Sequence, residues 1–174
     1  MYNVKRIPNF IDEKEKNLLI DWIESNKHRF SDANMGGSRV TTRYFSHVPF
    51  PMVAHEIRKR IVKVLSIDDM DRPPFAGGMV ASYAPVGDSC YSHIDPIWHE
   101  GKSTLHCNII LQKPTSGGIL YIQGEEFIVD ESELFCYLVS DYSHGVSEIQ
   151  GDKARLLWVF GFCVDKETYL NENL

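Results

Sequence analysis

The strongest constraint on this chain lies after residue 77, where short β-branched and aromatic runs follow one another between turn signals: GMVASYAP, CYSHIDP, STLHCNIILQ, GILYIQGEEFIV, ELFCYLVS and ARLLWVFGF. Six of them at this spacing predict a sandwich or barrel, in which a second layer of strands covers the first.

Two amphipathic helices are predicted ahead of the strands. Asp12 and Glu15 have the spacing of a capping box, and Leu18, Leu19, Trp22 and Ile23 recur at helical intervals through EKEKNLLIDWIES. Pro51 suits a first helical turn, and Val53, Ile57, Ile61, Val64 and Leu65 share one face of MVAHEIRKRIVKVL. The stretch SDANMGGSRVTTRYF between them reads as a loop entering a strand. The expectation is therefore a mainly β protein with N-terminal helices covering one face of its sheet. Residues 1–174 form a single domain, with helical support and first strands in 1–76 and the β core in 77–165.

Charge and cysteine usage narrow the function. A net charge of −6 supplies no basic field for a phosphate backbone, so nucleic acid is disfavoured as a partner and a small or neutral substrate fits better. Cys90, Cys107, Cys136 and Cys163 stand singly, without a CxxC or CxH pair, and read as buried thiols of a reducing compartment. The N-terminus MYNVKRIPNF has no apolar secretory core and no run reaches the length of a membrane span, so a cytoplasmic location is expected.

Chemistry enters at YSHIDP. Chance alone supplies about one His-x-acid match in a chain of this composition, but His93 and Asp95 fall at the end of a predicted strand. Residues i and i+2 of a strand project to one face about 6.5 to 7 Å apart, near enough to share an ion. The competing interpretation is a solvated strand end. A metal needs a third ligand, and His99, His106 and His144 are the candidates. His144 is favoured because it follows the apolar run LFCYLVS where a strand meets a turn, 51 residues beyond His93, a separation that barrel closure can bridge. His106, inside STLHCNIIL, reads as core or pocket lining. Two histidines and a carboxylate form the facial triad of non-haem Fe(II) oxygenases, which leaves coordination positions open. Arg155 heads the apolar run ARLLWVFGF, where a buried guanidinium requires an anion. A dicarboxylate cosubstrate would supply one, and a structural Asp or Glu is the alternative.

HID, SDYSHGV and ARLLWVFGF together resemble the His-x-Asp…His…Arg pattern of the Fe(II)/2-oxoglutarate-dependent dioxygenases, in particular the prolyl-4-hydroxylase-like branch. SYAPVGDSCYSHID and SGGILYI extend the likeness over roughly residues 77 to 163. The resemblance implies a double-stranded β-helix, a jelly-roll, cupin-like barrel with two supporting helices. Iron would be bound by His93, Asp95 and His144. Arg155 and Tyr83, ten residues before His93, would hold 2-oxoglutarate. Arg155 lies eleven positions after His144, whereas about nine or ten is usual in this branch, so Lys153 is the alternative anchor.

The implied activity is hydroxylation of an unactivated C–H bond of an amino acid, a small metabolite or a prolyl-type peptidyl residue. It would consume O2, decarboxylate 2-oxoglutarate to succinate and CO2, and have ascorbate as a candidate stimulant. Asp95 favours hydroxylation, since related halogenases lack this carboxylate. Arg39, Arg43 and Trp98, in segments expected to ring the barrel mouth, are candidate substrate contacts. A zinc hydrolase using the same two histidines and carboxylate and a non-catalytic cupin-like binding protein are the alternatives. A nucleic-acid demethylase is disfavoured because RLLWVFGF has no second arginine.

Overall fold

The computed structural model describes residues 3–35, 38–45, 49–70, 72–73 and 78–173, and for 31–45 the backbone alone. Helix α1 spans Glu13–Asn26 and starts on the expected capping box. The Asp12 carboxylate accepts the Glu15 N–H at 2.8 Å and the Glu15 carboxylate accepts the Asp12 N–H at 3.1 Å, which satisfies donors that a helix start leaves open. Helix α2 spans Met52–Leu65, with Pro51 at its N-cap rather than in its first turn, and ends at Ser66 in the left-handed region. A single 3-10 turn, Lys27–Arg29, follows α1.

Thirteen strands are assigned among the described residues: β1 (Lys5–Ile7), β2 (Ser31–Met35), β3 (Ser38–Phe45), β4 (Met79–Ala84), β5 (Cys90–His93), β6 (Ser103–Gln112), β7 (Ser116–Gly117), β8 (Leu120–Ile122), β9 (Glu125–Phe127), β10 (Leu134–Leu138), β11 (His144–Val146), β12 (Ile149–Gln150) and β13 (Arg155–Val164). Helix α3, Lys166–Asn173, follows them. The large sheet runs β1-β10-β6-β13-β4-β3-β2, the small sheet β5-β11-β8-β9, and β12 pairs with β7. All of these pairs are antiparallel.

Strand parity divides the large sheet between two cores, because successive side chains project to opposite faces. Leu156, Trp158, Phe160 and Phe162 of β13, with Leu105, Cys107, Ile109 and Leu111 of β6, pack against the helices. Leu157 and Val159 of β13, with Phe135, Tyr137 and Val139, turn instead toward the small sheet and fill the barrel. Trp22 of α1 meets Trp158 edge-on at 5.4 Å, which fixes the helix on the sheet. Arg58 of α2 is buried, donates to the carbonyls of Gly78 and Gly161 at 2.8 and 3.0 Å, and pairs with Asp69. Asn173 donates to the Leu65 carbonyl at 3.0 Å and ties α3 to the end of α2.

The result is a double-stranded β-helix, a mainly β jelly roll with helices behind its larger sheet. All four cysteines are free, and three are buried. No helix among the described residues is long and apolar enough to cross a membrane.

Candidate active site

β5 and β11 lie side by side in the small sheet, with His93 and His144 as Cα partners. Directly opposed residues of an antiparallel pair present their side chains on the same face, and the two imidazole centroids are 4.4 Å apart. Each ring is oriented by its own backbone. His93 Nδ1 lies 2.8 Å from the Tyr91 carbonyl, and His144 Nδ1 lies 3.1 Å from the Tyr142 carbonyl. A carbonyl only accepts, so these contacts assign the proton to Nδ1 and leave the Nε2 lone pair for an ion.

Asp95 lies just beyond β5 and is fixed through its backbone. Its N–H donates to the Val139 carbonyl at 3.0 Å, and the Thr104 hydroxyl donates to the Pro96 carbonyl at 2.9 Å. The carboxylate is buried, with Oδ1 3.2 Å from His93 Nε2 and Oδ2 3.5 Å from His106 Nε2. One ligand atom from each of His93, Asp95 and His144 lies within 4.8 Å of the others, the one such group among the described residues.

The electrostatics fit a cation. Asp95 Oδ1 is buried with no well-aligned hydrogen bond, a costly state for a carboxylate oxygen unless a positive charge faces it. Burial lowers the pKa of His144, and takes that of His106 down to about 4. The Asp95 carboxylate instead holds a proton on His93, whose pKa is raised to about 10. Burial pushes Asp95 up, but the contact with His93 and the charges of the nearby histidines outweigh it and the net shift is downward. A bound dication would take over the charge of that His93 proton and release it. Two imidazoles and one carboxylate suit Fe(II), and Zn(II) as well.

Arg155 opens β13, is buried, and lines a cavity with Ala84, Asp88, Cys90 and Val146. Lys153, on the turn before it, is exposed. Tyr83 lies elsewhere. Its cross-strand partner is Leu156, and like Leu156 it packs toward the helices, with the Lys27 ammonium 5.4 Å from its ring centre. The expected pairing of Tyr83 with Arg155 in one pocket is therefore corrected: the two residues occupy opposite faces of the large sheet, as adjacent positions in a cross-strand register must.

Tyr137 is the tyrosine that faces inward. Its ring meets His144 edge-on at 5.4 Å, and burial drives its pKa upward while Asp95 and Arg155 act on it in opposite senses. The signal for it was present in ELFCYLVS, where Tyr137 shares the parity of Phe135 and Val139. Of the expected substrate contacts, Trp98 is 40% exposed on the loop after β5, near exposed Ile94 and Ile97. Arg39 and Arg43 lie on β3, with Arg43 opposite Tyr83, and their side chains fall outside the described ones.

No protein-family model and no curated protein matches the chain. Solved structures do. A prolyl-4-hydroxylase from Pseudomonas putida aligns with a TM-score of 0.65 at 14% identity, over 94% of this chain and 93% of that one. The viral collagen prolyl hydroxylase from Paramecium Bursaria Chlorella virus-1, in its 2-oxoglutarate complex, gives 0.66 at 12% identity, over 91% and 94%. The non-haem α-ketoglutarate-dependent carbocyclase SnoK from nogalamycin biosynthesis gives 0.72 at 12% identity, over 94% and 80%. The fold of this chain is the one that these two prolyl hydroxylases and this carbocyclase share.

Proposed function

We propose that the chain is a non-haem Fe(II)- and 2-oxoglutarate-dependent dioxygenase that hydroxylates an unactivated C–H bond. The observation that carries this reading is the closure of His93, Asp95 and His144 to within 4.8 Å inside a barrel whose wall also carries the buried guanidinium of Arg155. A metal site alone would serve a hydrolase equally well. The inward arginine supports an oxoacid cosubstrate.

In this reading the Nε2 atoms of His93 and His144 and the Asp95 carboxylate hold the iron. Arg155 binds the far carboxylate of 2-oxoglutarate, a task that suits a planar, permanently charged guanidinium. Tyr137, inward beside His144, takes the place first expected for Tyr83 as the hydroxyl on the cosubstrate's path. Iron and 2-oxoglutarate bound together supply the activation of O2, coupled to decarboxylation of the oxoacid to succinate and CO2. The chain's part is to orient the bound molecules and to keep water out with Leu157, Val159 and Phe135. Exposed Ile94, Ile97 and Trp98 on the loop that follows the first ligand support a substrate with an apolar portion, whether an amino acid, a small metabolite or a peptidyl residue.

Anaerobic addition of Fe(II) and 2-oxoglutarate should give the weak visible charge-transfer band of the chelate, and His144→Ala should abolish it. A purified protein that shows no band and holds zinc tightly would overturn the reading. Succinate release stimulated by members of an amino-acid and peptide panel would then identify the substrate.

A further inference from the structure

His106 reaches the site from the sheet opposite the two histidine ligands. It lies on β6 with Tyr137 and Gly161 as its cross-strand partners, and its parity is that of Ile110, toward the barrel interior. The His106 side chain is only 15% exposed, and its Nε2, shut off from solvent, lies 3.5 Å from Asp95 Oδ2 without the alignment of a hydrogen bond. The other oxygen, Oδ1, faces His93 Nε2 at 3.2 Å. The two carboxylate oxygens thus have separate neighbours on opposite sheets. His106 does not join His93, Asp95 and His144 in the group of ligand atoms within 4.8 Å of one another.

Building on the iron-site reading above, we propose that His106 is a positioning residue for Asp95: its Nε2, the neighbour of Oδ2, biases the carboxylate to present Oδ1, the oxygen facing His93, to the ion. A carboxylate free to rotate about its Cβ–Cγ bond would offer either oxygen or both. A polar neighbour beside one oxygen narrows that freedom before the ion arrives, so less order has to be imposed on binding. The Asp95 N–H to Val139 and the Thr104 hydroxyl to Pro96 fix the backbone on either side, and His106 extends that restraint to the side chain.

The test is Mn(II) binding to the metal-free full chain, followed by electron paramagnetic resonance without oxoacid or oxygen. His106→Leu, which fills similar space but cannot donate, should bind Mn(II) about 10- to 100-fold more weakly than the wild type. His106→Gln, which keeps an amide donor, should recover much of that loss. Thermal melting of the metal-free variants separates positioning from support of the fold. An unchanged affinity in His106→Leu overturns the proposal, as does a glutamine variant that melts like the wild type yet binds no better than leucine. Complete loss of binding in both would mark His106 as a ligand and also overturn the positioning role. Should the leucine variant not fold, the glutamine variant alone still decides, since it must bind nearly as the wild type does. A wild-type protein that binds no Mn(II), like the control His144→Ala, removes the iron-site reading itself.

Discussion

Gly145 lies directly against Cys90: a Cβ added to Gly145 would be 2.8 Å from the Cys90 carbonyl oxygen and 3.0 Å from the Ser92 N–H nitrogen. Both contacts are backbone, so neither can swing aside. The absence of a side chain here lets β11 approach β5 closely enough to bring the His93 and His144 rings to 4.4 Å. Gly145→Ala should force the two strands apart, lower Mn(II) affinity by about tenfold, and cost roughly 1 to 3 kcal/mol of stability as an overpacked site does. Metal titration beside a thermal melt measures both, and an alanine variant with native affinity would show that the close approach is dispensable.

Arg155 and Lys153 make opposite predictions. Losing a charged hydrogen-bonding partner costs about 1.5 to 3 kcal/mol, so Arg155→Ala should weaken 2-oxoglutarate binding by about 10- to 150-fold while leaving Mn(II) affinity near native. Arg155→Lys should keep part of the affinity, because a point charge replaces the bidentate fork. Lys153 is exposed, and Lys153→Ala should change nothing. Titration of the charge-transfer band reads all three, and a large effect at Lys153 would reassign the anchor.

Much of this architecture was legible in the sequence, and the exceptions share a cause. The capping box at Asp12 and Glu15, the limits of α2 and five of the six β runs depend on neighbours in the chain, and the structure matches them closely, whereas GILYIQGEEFIV folds back on itself as β8 and β9. β1 is three residues long, too short for a period to register. α3 buries only Tyr169 and Asn173, so KETYLNEN carries no apolar stripe. SDANM reads as loop by composition and becomes a strand only because β3 pairs with it. The site divides the same way. His93, Asp95 and His144 could be grouped in the sequence because a strand end and a strand–turn junction are local features, and the structure brings their ligand atoms within 4.8 Å of one another. The direction of Tyr83 is not legible in the sequence because it follows from the register of β4 on β13, and the contact of His106, read as core or pocket lining, with Asp95 is not legible because it crosses between sheets.

Arg58 should be among the most sensitive positions for folding. It is 3% exposed, binds Asp69 and two backbone carbonyls, and stacks over Phe162 at 4.1 Å. Arg58→Ala leaves the partly buried Asp69 carboxylate and the Gly78 and Gly161 carbonyls without this donor, and about 3 to 5 kcal/mol of stability should be lost. Urea unfolding measures it. A loss under about 1 kcal/mol would mean that water replaces the guanidinium at little cost.

Acid should act through Glu133. Burial pushes its carboxyl pKa up, but Arg6, at 2.6 and 2.8 Å, and the Asp130 N–H, at 3.0 Å, pull it down, and the net shift is downward. A carboxyl depressed in the folded state contributes stability that is present above its unfolded pKa of roughly 4.3 and is lost as pH falls through the folded value. Glu133→Gln should therefore be less stable than the wild type at neutral pH, with the gap closing in acid. Urea midpoints across a pH series give the answer, and a gap independent of pH would rule out this pair as its source.

His93 and His144 belong to the small sheet, while Arg155 and His106 belong to the large one. A molecule that chelates the ion at one end and pairs with Arg155 at the other would therefore fasten one leaf of the sandwich to its mate, near the end where the β5 loop leaves the barrel. Binding of this kind adds to folding stability in proportion to the logarithm of ligand concentration over its dissociation constant. The survival time of the folded chain in a cell would then rise and fall with the supply of oxoacid, and starvation for that metabolite would make the protein more open to proteases as its site emptied.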